Sequence, residues 1–152
     1  MDIAVKPIAY VKNSRETLSD DFWGNVISEI ELAEDIPAEA FMGIEDFSHV
    51  EIVFHFHEAE KPILFCRHPR GNMAWPEVGI FAQRNKDRPN RIGITSVRLL
   101  KREGKTLFVD HFDGINGTPV LDIKPVIKAF SIDPAEIRQP QWVNEMLIDY
   151  WK

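Results

Sequence analysis

Two histidines stand one residue apart in the segment His55–Phe56–His57. Successive side chains of a β-strand point to opposite faces, so on a strand both imidazoles would share one face. Imidazole serves both as a general base near neutral pH and as a metal ligand. A metal-binding barrel is one alternative, but Glu58 and Glu60 follow too soon to match the usual spacing of a glutamate ligand. We favour the interpretation in which His57 lines a polar cavity and no metal is bound.

The segment 81–93 combines positive charge with residues that disfavour regular structure. Its cations are Arg84, Lys86, Arg88 and Arg91. Pro89 and Asn90 are typical turn residues, and short strands are expected on both sides. Arginine can bind a carboxylate through two parallel hydrogen bonds. We therefore expect Arg84 or Arg88 to bind an anionic group, the alternative being an ordinary solvated loop.

The segment 116–125 contains a glycine turn followed by a candidate strand. Gly117 would allow a ligand to approach the backbone where a side chain would block it. Thr118 offers a hydrogen bond, and Asp122 can accept one from a hydroxyl group. Asp122 and Lys124 would lie on one face of the strand, so an alternative is that they only pair with their neighbours.

Alternating apolar residues predict the strands that would position these segments. The clearest strand is Ser48–His57, in which Val50, Ile52 and Phe54 lie on one face with Phe56. The other expected strands are Ile3–Val11, Val26–Leu32, Val78–Ala82, Ile92–Lys101, Thr106–Phe112 and Pro119–Val126. Of these, Ile92–Lys101 and Thr106–Phe112 would form a hairpin that turns at Glu103–Gly104.

The end of the chain is predicted to be helical. Asp133–Glu136 resembles a capping box, and Gln141–Trp151 places Trp142, Met146 and Tyr150 at steps of four. Short strands followed by one terminal helix do not alternate as a parallel sheet requires. Closing the strands into a barrel leaves no exposed edge. We therefore expect a mainly β fold, a β-barrel with short helical additions and a C-terminal helix, forming one domain over residues 1–152.

The composition is that of an ordinary globular protein, with 44% hydrophobic and 28% charged residues among 152. Cys66 is the single cysteine, which excludes a disulfide framework and a cysteine-only zinc cluster. Residues 1–7 lack the features of a signal peptide, and no apolar run approaches the ~20 residues that span a bilayer. A cytoplasmic protein that does not interact with a membrane is expected.

Charge is distributed unevenly along the chain. The net charge is −6, but residues 67–105 contain ten Lys or Arg and three acids, whereas the remaining residues carry a net charge of −13. This distribution suits an anionic ligand or a short stretch of RNA better than duplex DNA, whose affinity grows with each phosphate neutralised. The alternative is that these charges are scattered and solvated.

The glycine-rich phosphate-binding and nucleophile motifs are absent. The chain contains no G-x-G, no G-x-x-x-x-G-K-[ST] and no G-x-S-x-G. A nucleoside cofactor would therefore have to be held by something other than a glycine-rich turn before a helix.

Taken together, the segments resemble the TsaA-like family, which includes the TrmO tRNA methyltransferases. The matching landmarks follow in order over about 80 residues and are Gly43–His49, the strand ending at Phe56–His57, His68–Arg70, Gly79–Arg84, Arg88–Gly93 and Gly117–Pro125. The resemblance implies a non-Rossmann β-barrel that forms a homodimer and binds S-adenosylmethionine near the subunit interface. It also implies N6-methylation of threonylcarbamoyladenosine beside the tRNA anticodon.

The resemblance also implies which residues would face the cofactor. The candidate cofactor-binding residues are Phe56, His57, Arg84, Arg88, Asn90, Ile92, Gly93, Asn116, Gly117, Thr118 and Pro119. His57 and Asp122 are the candidate bases that would remove a proton from the methyl acceptor. Two alternatives remain: the same fold methylating a small molecule, and a barrel that binds the cofactor or a metal without catalysis.

This sequence departs from the family pattern in three places. Leu18–Gly24 stands where the family has a proline-arginine-glutamine segment. Asn85–Lys86 replaces a serine-proline pair, and Arg91 replaces a proline. Asn116 replaces the usual aspartate before Gly-Thr-Pro.

Overall fold

Most strands of the computed structural model, which describes residues 1–152, belong to one antiparallel sheet that closes on itself. The strands are β1 (Ala9–Lys12), β2 (Ser28–Leu32), β3 (His49–His55), β4 (Cys66–Arg67), β5 (Val78–Gly79), β6 (Ile92–Glu103), β7 (Thr106–Asp110) and β8 (Pro119–Pro125). Around the barrel the order is β1-β2-β7-β6-β3-β8, and β8 pairs with β1 to close it. β4 and β5 form a separate two-stranded sheet. The expectation of a closed barrel is confirmed.

Helical structure is limited to short pieces between and after the strands. The single α-helix, α1, spans Gln141–Met146. The 3₁₀ turns are Ala38–Phe41, Ile44–Asp46, Pro69–Gly71, Ile80–Ala82, Pro89–Arg91, Lys128–Phe130 and Pro134–Glu136. None of these helices has the length and hydrophobicity that crossing a membrane requires.

The core fills the barrel with the inward-facing residues of its strands. On β3, every second residue is buried, as the alternation predicted. The cluster comprises Ala9, Val11, Ile30, Leu32, Phe41, Val50, Ile52, Phe54, Val97, Leu107, Val109, Phe112 and Val120. Burying each large aliphatic or aromatic side chain contributes about 1.5–3 kcal/mol, so the core holds the strands in register.

The hairpin of β6 and β7 forms at the predicted turn. Gly104 follows the last residue of β6 and has φ +58°, a left-handed conformation that glycine adopts without strain. β6 continues for twelve residues, so it pairs with β3 along one edge and with β7 along the other.

Most of the predicted strands are shorter than expected. Of the expected strand Ile3–Val11, only Ala9–Val11 belongs to a strand, because the pairing with β2 and β8 begins at Ala9. β3 ends at His55, and the chain then turns, with the N–H of Ala59 donating to the carbonyl of Phe56 (3.2 Å). His57 therefore follows the strand, so the prediction that both imidazoles project from one strand face was wrong. In the expected strand Val78–Ala82, only Val78–Gly79 is extended, because the last three residues form a 3₁₀ turn.

The C-terminal helix is also shorter than predicted. Asp133 caps as expected, accepting from the N–H of Ala135 (2.9 Å), but only a 3₁₀ turn follows. α1 stops at Met146, and the carbonyls of the last residues bond elsewhere: the N–H of Trp23 donates to the carbonyl of Tyr150 (2.8 Å). At Gly24 this docking is so close that a Cβ would lie 1.9 Å from the carbonyl oxygen of Trp151. The chain end is thus tied to the loop before β2.

Candidate functional site

The end of β3 meets the start of β6 at a residue without a side chain. The rings of Phe54 and Phe56 pack edge to face, with centroids 5.1 Å apart. A Cβ at Gly93 would lie 2.5 Å from Cζ of Phe54 and 2.8 Å from Cζ of Phe56. Real Cβ atoms do not approach other atoms so closely, so glycine at this position sets where the Phe56 ring lies.

His57 faces the glycine turn that precedes β8. A Cβ at Gly117 would be 3.7 Å from Nε2 of His57, an ordinary contact distance. Gly117 has φ +80°, and its N–H donates to the carbonyl of Val11 (2.8 Å), which fixes the turn against β1. The His57 side chain is 26% exposed, and its nearest carboxylate oxygen is 3.9 Å away on Glu58. Two of the three predicted segments therefore meet here.

The basic segment is joined to the same place through the backbone. The N–H of Phe56 donates to the carbonyl of Arg91 (2.8 Å). Asn90 and Arg91 have φ of +62° and +50°, a left-handed turn that brings the chain back into β6. Within the loop, Asp87 is 1% exposed and lies 3.5 Å from Nη1 of Arg67. The third segment is therefore held firmly beside the other two.

Three arginines of this loop form no ion pair. Six of the ten cations in residues 67–105 pair with carboxylates, namely Arg67, Arg70, Lys86, Arg98, Lys101 and Arg102. Lys105 instead donates to backbone carbonyls. Arg84 bonds to the carbonyl of Ile94, and Nη1 of Arg88 donates to the carbonyl of Gln83 (2.8 Å). Arg84, Arg88 and Arg91 thus keep their positive charge available for a ligand.

Asn116, which stands where the family has aspartate, forms hydrogen bonds with residues 13–16. Nδ2 of Asn116 donates to both carboxylate oxygens of Glu16 (3.1 and 3.3 Å), and its Oδ1 accepts from the N–H of Asn13 (3.3 Å). An aspartate at this position would repel Glu16. The amide therefore holds residues 13–16 against the glycine turn, and its hydrogen bonds are used within the protein.

The acidic pair Asp20–Asp21, which precedes β2, contacts arginine side chains. The guanidinium of Arg70 donates to both oxygens of Asp21 (3.1 and 2.9 Å). Arg15 donates to the carbonyls of Asp21 and Phe22 and lies 4.2 Å over the ring of Trp23. Asp21 therefore has a structural role, in which it links Arg70 and Arg15, and the acidic composition of the segment alone did not predict this.

Asp122 lies on β8 and does not contact His57. Its Oδ2 is 2.7 Å from Nζ of Lys124, and its Oδ1 accepts from the N–H of Ile123 (3.0 Å). The Asp122 carboxylate raises the pKa of Lys124 through this hydrogen bond and its charge. The pairing with a neighbour that the sequence left open is the arrangement found here.

The remaining candidates are neighbours along the chain of Arg91 and Gly117. Ile92 and Asn90 are exposed, whereas Thr118 is buried beneath the glycine turn. Pro119 starts β8 and pairs with Tyr10 of β1. No group of three or more His, Cys, Asp or Glu side chains is arranged to hold a metal ion.

The sequence did not predict a polar network formed by Thr95, Asp113 and Tyr150. Oγ1 of Thr95 donates to Oδ1 of Asp113 (2.5 Å), and the hydroxyl of Tyr150 donates to Oδ2 of the same carboxylate. Burial, assisted by Asp113, raises the pKa of Tyr150 well above its ordinary value, while the charges of Arg84 and Arg70 oppose the shift. Tyr150 is therefore within electrostatic reach of Arg84. No local motif joins residues this far apart in sequence.

Comparisons with known proteins agree on one family. The description "tRNA-methyltransferase O N-terminal domain" matches residues 19–132. A human protein named "tRNA (adenine(37)-N6)-methyltransferase" is 43% identical over 118 residues, which cover 75% of this chain and 24% of that protein. A "Probable S-adenosyl-L-methionine-binding protein" from Methanothermobacter thermautotrophicus is 35% identical over 128 residues, covering 82% of this chain and 90% of that protein.

A solved structure is similar over most of the chain. The "Crystal structure of TrmO from Pseudomonas aeruginosa" superposes with a TM-score of 0.71 and 31% identity, covering 91% of this chain and 61% of that one. This chain thus spans about a quarter of the human relative's length and about three-fifths of the Pseudomonas structure.

Proposed function

Because this chain belongs to the family of tRNA-methyltransferase O N-terminal domains, we propose that it is an S-adenosylmethionine-dependent methyltransferase that acts on tRNA. The observation that carries this proposal is the set of three unpaired arginines, Arg84, Arg88 and Arg91, held beside the place where His57 meets Gly117. A cation-rich loop next to an apolar ring and an open glycine turn fits a ligand with a carboxylate, a flat base and a ribose. S-adenosylmethionine has these three parts.

The residues at this place divide the recognition between them. Arg84 or Arg88 binds the carboxylate of the cofactor, since a guanidinium can donate two parallel hydrogen bonds to it. Phe56 and Ile92 supply apolar surface for the adenine. Gly117 permits close approach to the backbone, because a Cβ there would occupy the space in front of His57. Asn90, Gly93, Asn116, Thr118 and Pro119 are the other residues that we assign to the cofactor site.

The cofactor supplies an electrophilic methyl group, and the protein positions the acceptor and handles its proton. Holding two reactants in line is a large part of catalysis for such a displacement. A carbamoylated adenosine nitrogen is a weak nucleophile, so removing its proton helps. We propose His57 as the base, since its Nε2 faces the glycine turn and no hydrogen bond holds that imidazole. Asp122 is the second candidate, although Lys124 holds its carboxylate.

The acceptor we propose is threonylcarbamoyladenosine at position 37, next to the anticodon, methylated on N6. The name of the human relative supports adenine 37. The threonyl group adds a second carboxylate, and three unpaired arginines allow one to bind the cofactor and another to bind the acceptor. We propose that residues 1–152 act as one domain and that the cytoplasm is the compartment.

We further propose that the chain acts as a homodimer. Residues 127–141 are exposed throughout, and they include four large hydrophobic side chains. Phe130 is 86% exposed and Ile132 is 70% exposed. A segment with this much uncovered apolar surface fits a protein interface. A second copy is the partner that the family resemblance implies.

Methyl transfer to tRNA is tested with methyl-labelled S-adenosylmethionine. We expect label to enter tRNA that carries threonylcarbamoyladenosine and to remain absent from the unmodified transcript of the same tRNA. Nuclease digestion should place the label on the modified nucleoside. Equal labelling of both tRNAs would contradict the threonylcarbamoyl acceptor, and labelling of small molecules alone would favour the alternative acceptor class.

Arg84→Ala should weaken cofactor binding about tenfold or more, because hydrogen bonds to charged groups contribute about 1.5–3 kcal/mol. Calorimetric titration with S-adenosylmethionine measures the change. The control is Lys101→Ala, which removes the same charge from an exposed residue paired with Glu103. Unchanged affinity in Arg84→Ala would exclude Arg84, and unchanged affinity in Arg88→Ala as well would refute the assignment of the carboxylate to this loop.

His57→Ala should lower turnover by about 10² to 10⁴, the usual contribution of a positioned base. We expect a smaller loss for Asp122→Ala, because its carboxylate is already paired with Lys124. His55→Ala, which removes the neighbouring imidazole of β3, is the control. If His57→Ala and Asp122→Ala both turn over at the full rate with intact cofactor binding, neither His57 nor Asp122 is the base.

Sedimentation of the purified protein should give twice the 17.5 kDa mass of the chain. The double variant Phe130→Ser, Ile132→Ser should sediment as a monomer, because it removes the most exposed apolar contacts of the segment. Met73→Ser, which changes a comparably exposed residue elsewhere, should leave the dimer intact. A wild-type monomer would rule out the homodimer.

A further inference from the structure

A second concave region lies on the outer surface of the barrel, beside the chain end. Two adjoining hollows of about 420 and 460 Å³ share the residues Arg98, His111 and Trp151. The first is completed by His49 and Ser96. None of the residues proposed to bind the cofactor lines either hollow. Their volumes are in the range of pockets that hold small ligands.

A buried carboxylate organises the polar side of this region. Asp110 is buried, and its Oδ2 accepts from Nε of Arg98 (3.0 Å) and also from Nη2. Its Oδ1 is 3.0 Å from Nδ1 of His111. Burial acts to raise the pKa of Asp110, but the hydrogen bonds from Arg98 and His111 outweigh it and hold the pKa below its ordinary value. The carboxylate is therefore ionised, and Nδ1 of His111 carries the hydrogen.

This arrangement leaves polar groups available to a ligand. With Nδ1 bound to Asp110, the Nε2 of His111 has no partner within the protein. Arg98 uses two nitrogens on Asp110 and keeps three of its five N–H groups. On the neighbouring strand, Nδ1 of His49 bonds to Oγ of Ser48 (2.8 Å), so its Nε2 is also unused. Arg98, and His49 in the tautomer with hydrogen on Nε2, can donate to a phosphate group, whereas the Nε2 of neutral His111 can accept from a ribose hydroxyl or a base amino group.

The backbone at His111 is in an uncommon conformation. Its φ is +57°, in the left-handed region where residues with a side chain are strained. Residues in this conformation cluster at functional sites, although Phe22 and Arg70 also adopt it outside this region. Here it places the imidazole between the two hollows.

The other side of the region is flat and apolar. Trp151 is 42% exposed, and the centroid of its ring lies 5.4 Å from that of the His111 ring, with 42° between the two planes. Leu100 and Ile27, both exposed, continue this surface into the second hollow. An exposed tryptophan is a good stacking surface for a nucleobase, whichever base is presented.

We propose that this region is a nucleotide-binding site, in which Arg98 and His49 bind the phosphate, Nε2 of His111 accepts a hydrogen bond from the ribose or the base, and the base stacks on Trp151. The nucleotide can be free or can be one unit of a single-stranded RNA, since both present the same phosphate and base. Nucleotide binding at this cavity does not depend on methyl transfer.

The test uses calorimetric titration of the full chain with adenosine 5′-monophosphate and, separately, with a short single-stranded RNA. Trp151→Leu keeps an apolar side chain but removes the stacking surface. His111→Asn tolerates the left-handed backbone and keeps a donor for Asp110, so it should fold. We expect Trp151→Leu to weaken binding about fivefold or more, because the base loses its stacking surface. We expect His111→Asn to weaken binding about fivefold, because one hydrogen bond to the nucleotide is lost. Trp142→Leu, which changes another tryptophan near the chain end, should bind as the wild type does.

The pattern of binding identifies the source of the nucleotide. Loss of both ligands in the variants, with RNA binding more tightly in the wild type, indicates an RNA unit, whereas loss of the mononucleotide alone indicates a free nucleotide. Wild-type affinities in Trp151→Leu and His111→Asn would overturn the proposal, as would absence of binding. It would also be overturned if Arg84→Ala lost the mononucleotide while Trp151→Leu kept it, because the nucleotide would then lie in the proposed cofactor pocket.

Discussion

The space between the backbone of Gly93 and the rings of Phe54 and Phe56 is too small for one added methyl group, since a Cβ would lie 2.5 Å from the nearer ring. This contact fixes the Phe56 ring, and the N–H of Phe56 in turn holds the carbonyl of Arg91. The loop with the unpaired arginines is therefore positioned by a packing constraint in the barrel wall. The charges of Arg84, Arg88 and Arg91 remain available because the one carboxylate of the loop, Asp87, is paired with Arg67 and Lys86, and Arg84 and Arg88 bond only to backbone carbonyls.

The barrel was predictable because its determinants are local. Alternation on β3 and β6 and the glycine at position 104 specify strands and a turn within a few residues of each other. The errors arose where a distant contact overrode the local pattern. The terminal helix stops at Met146, after which the chain packs against the loop containing Trp23 and bonds to its backbone. β3 stops at His55, where the chain turns toward the glycine turn.

The candidate site was predictable as residue types but not as contacts. Arg84 and Arg88 were identified from the charge and turn residues of their own segment, and Gly117 from the conformational freedom of glycine. The partner of Asn116 lies 100 residues away in Glu16, and the hydroxyl of Tyr150 reaches Asp113 across 37 residues. Such pairs depend on strand order and loop packing, which the local sequence pattern does not contain. Only the structure shows that Arg84, Arg88 and Arg91 form no ion pair, because it shows which carboxylates the other cations contact.

The close packing of Gly24 against the last residues couples two distant surfaces. The peptide unit it touches belongs to Trp151, whose ring forms the flat wall of the outer cavity, and the residue before it bonds to Asp113. Any larger residue at position 24 would push this backbone outward and shift both aromatic rings together, although it contacts neither ring. We therefore expect substitutions in the loop before β2 and at the chain end to be correlated among sequences related to this one.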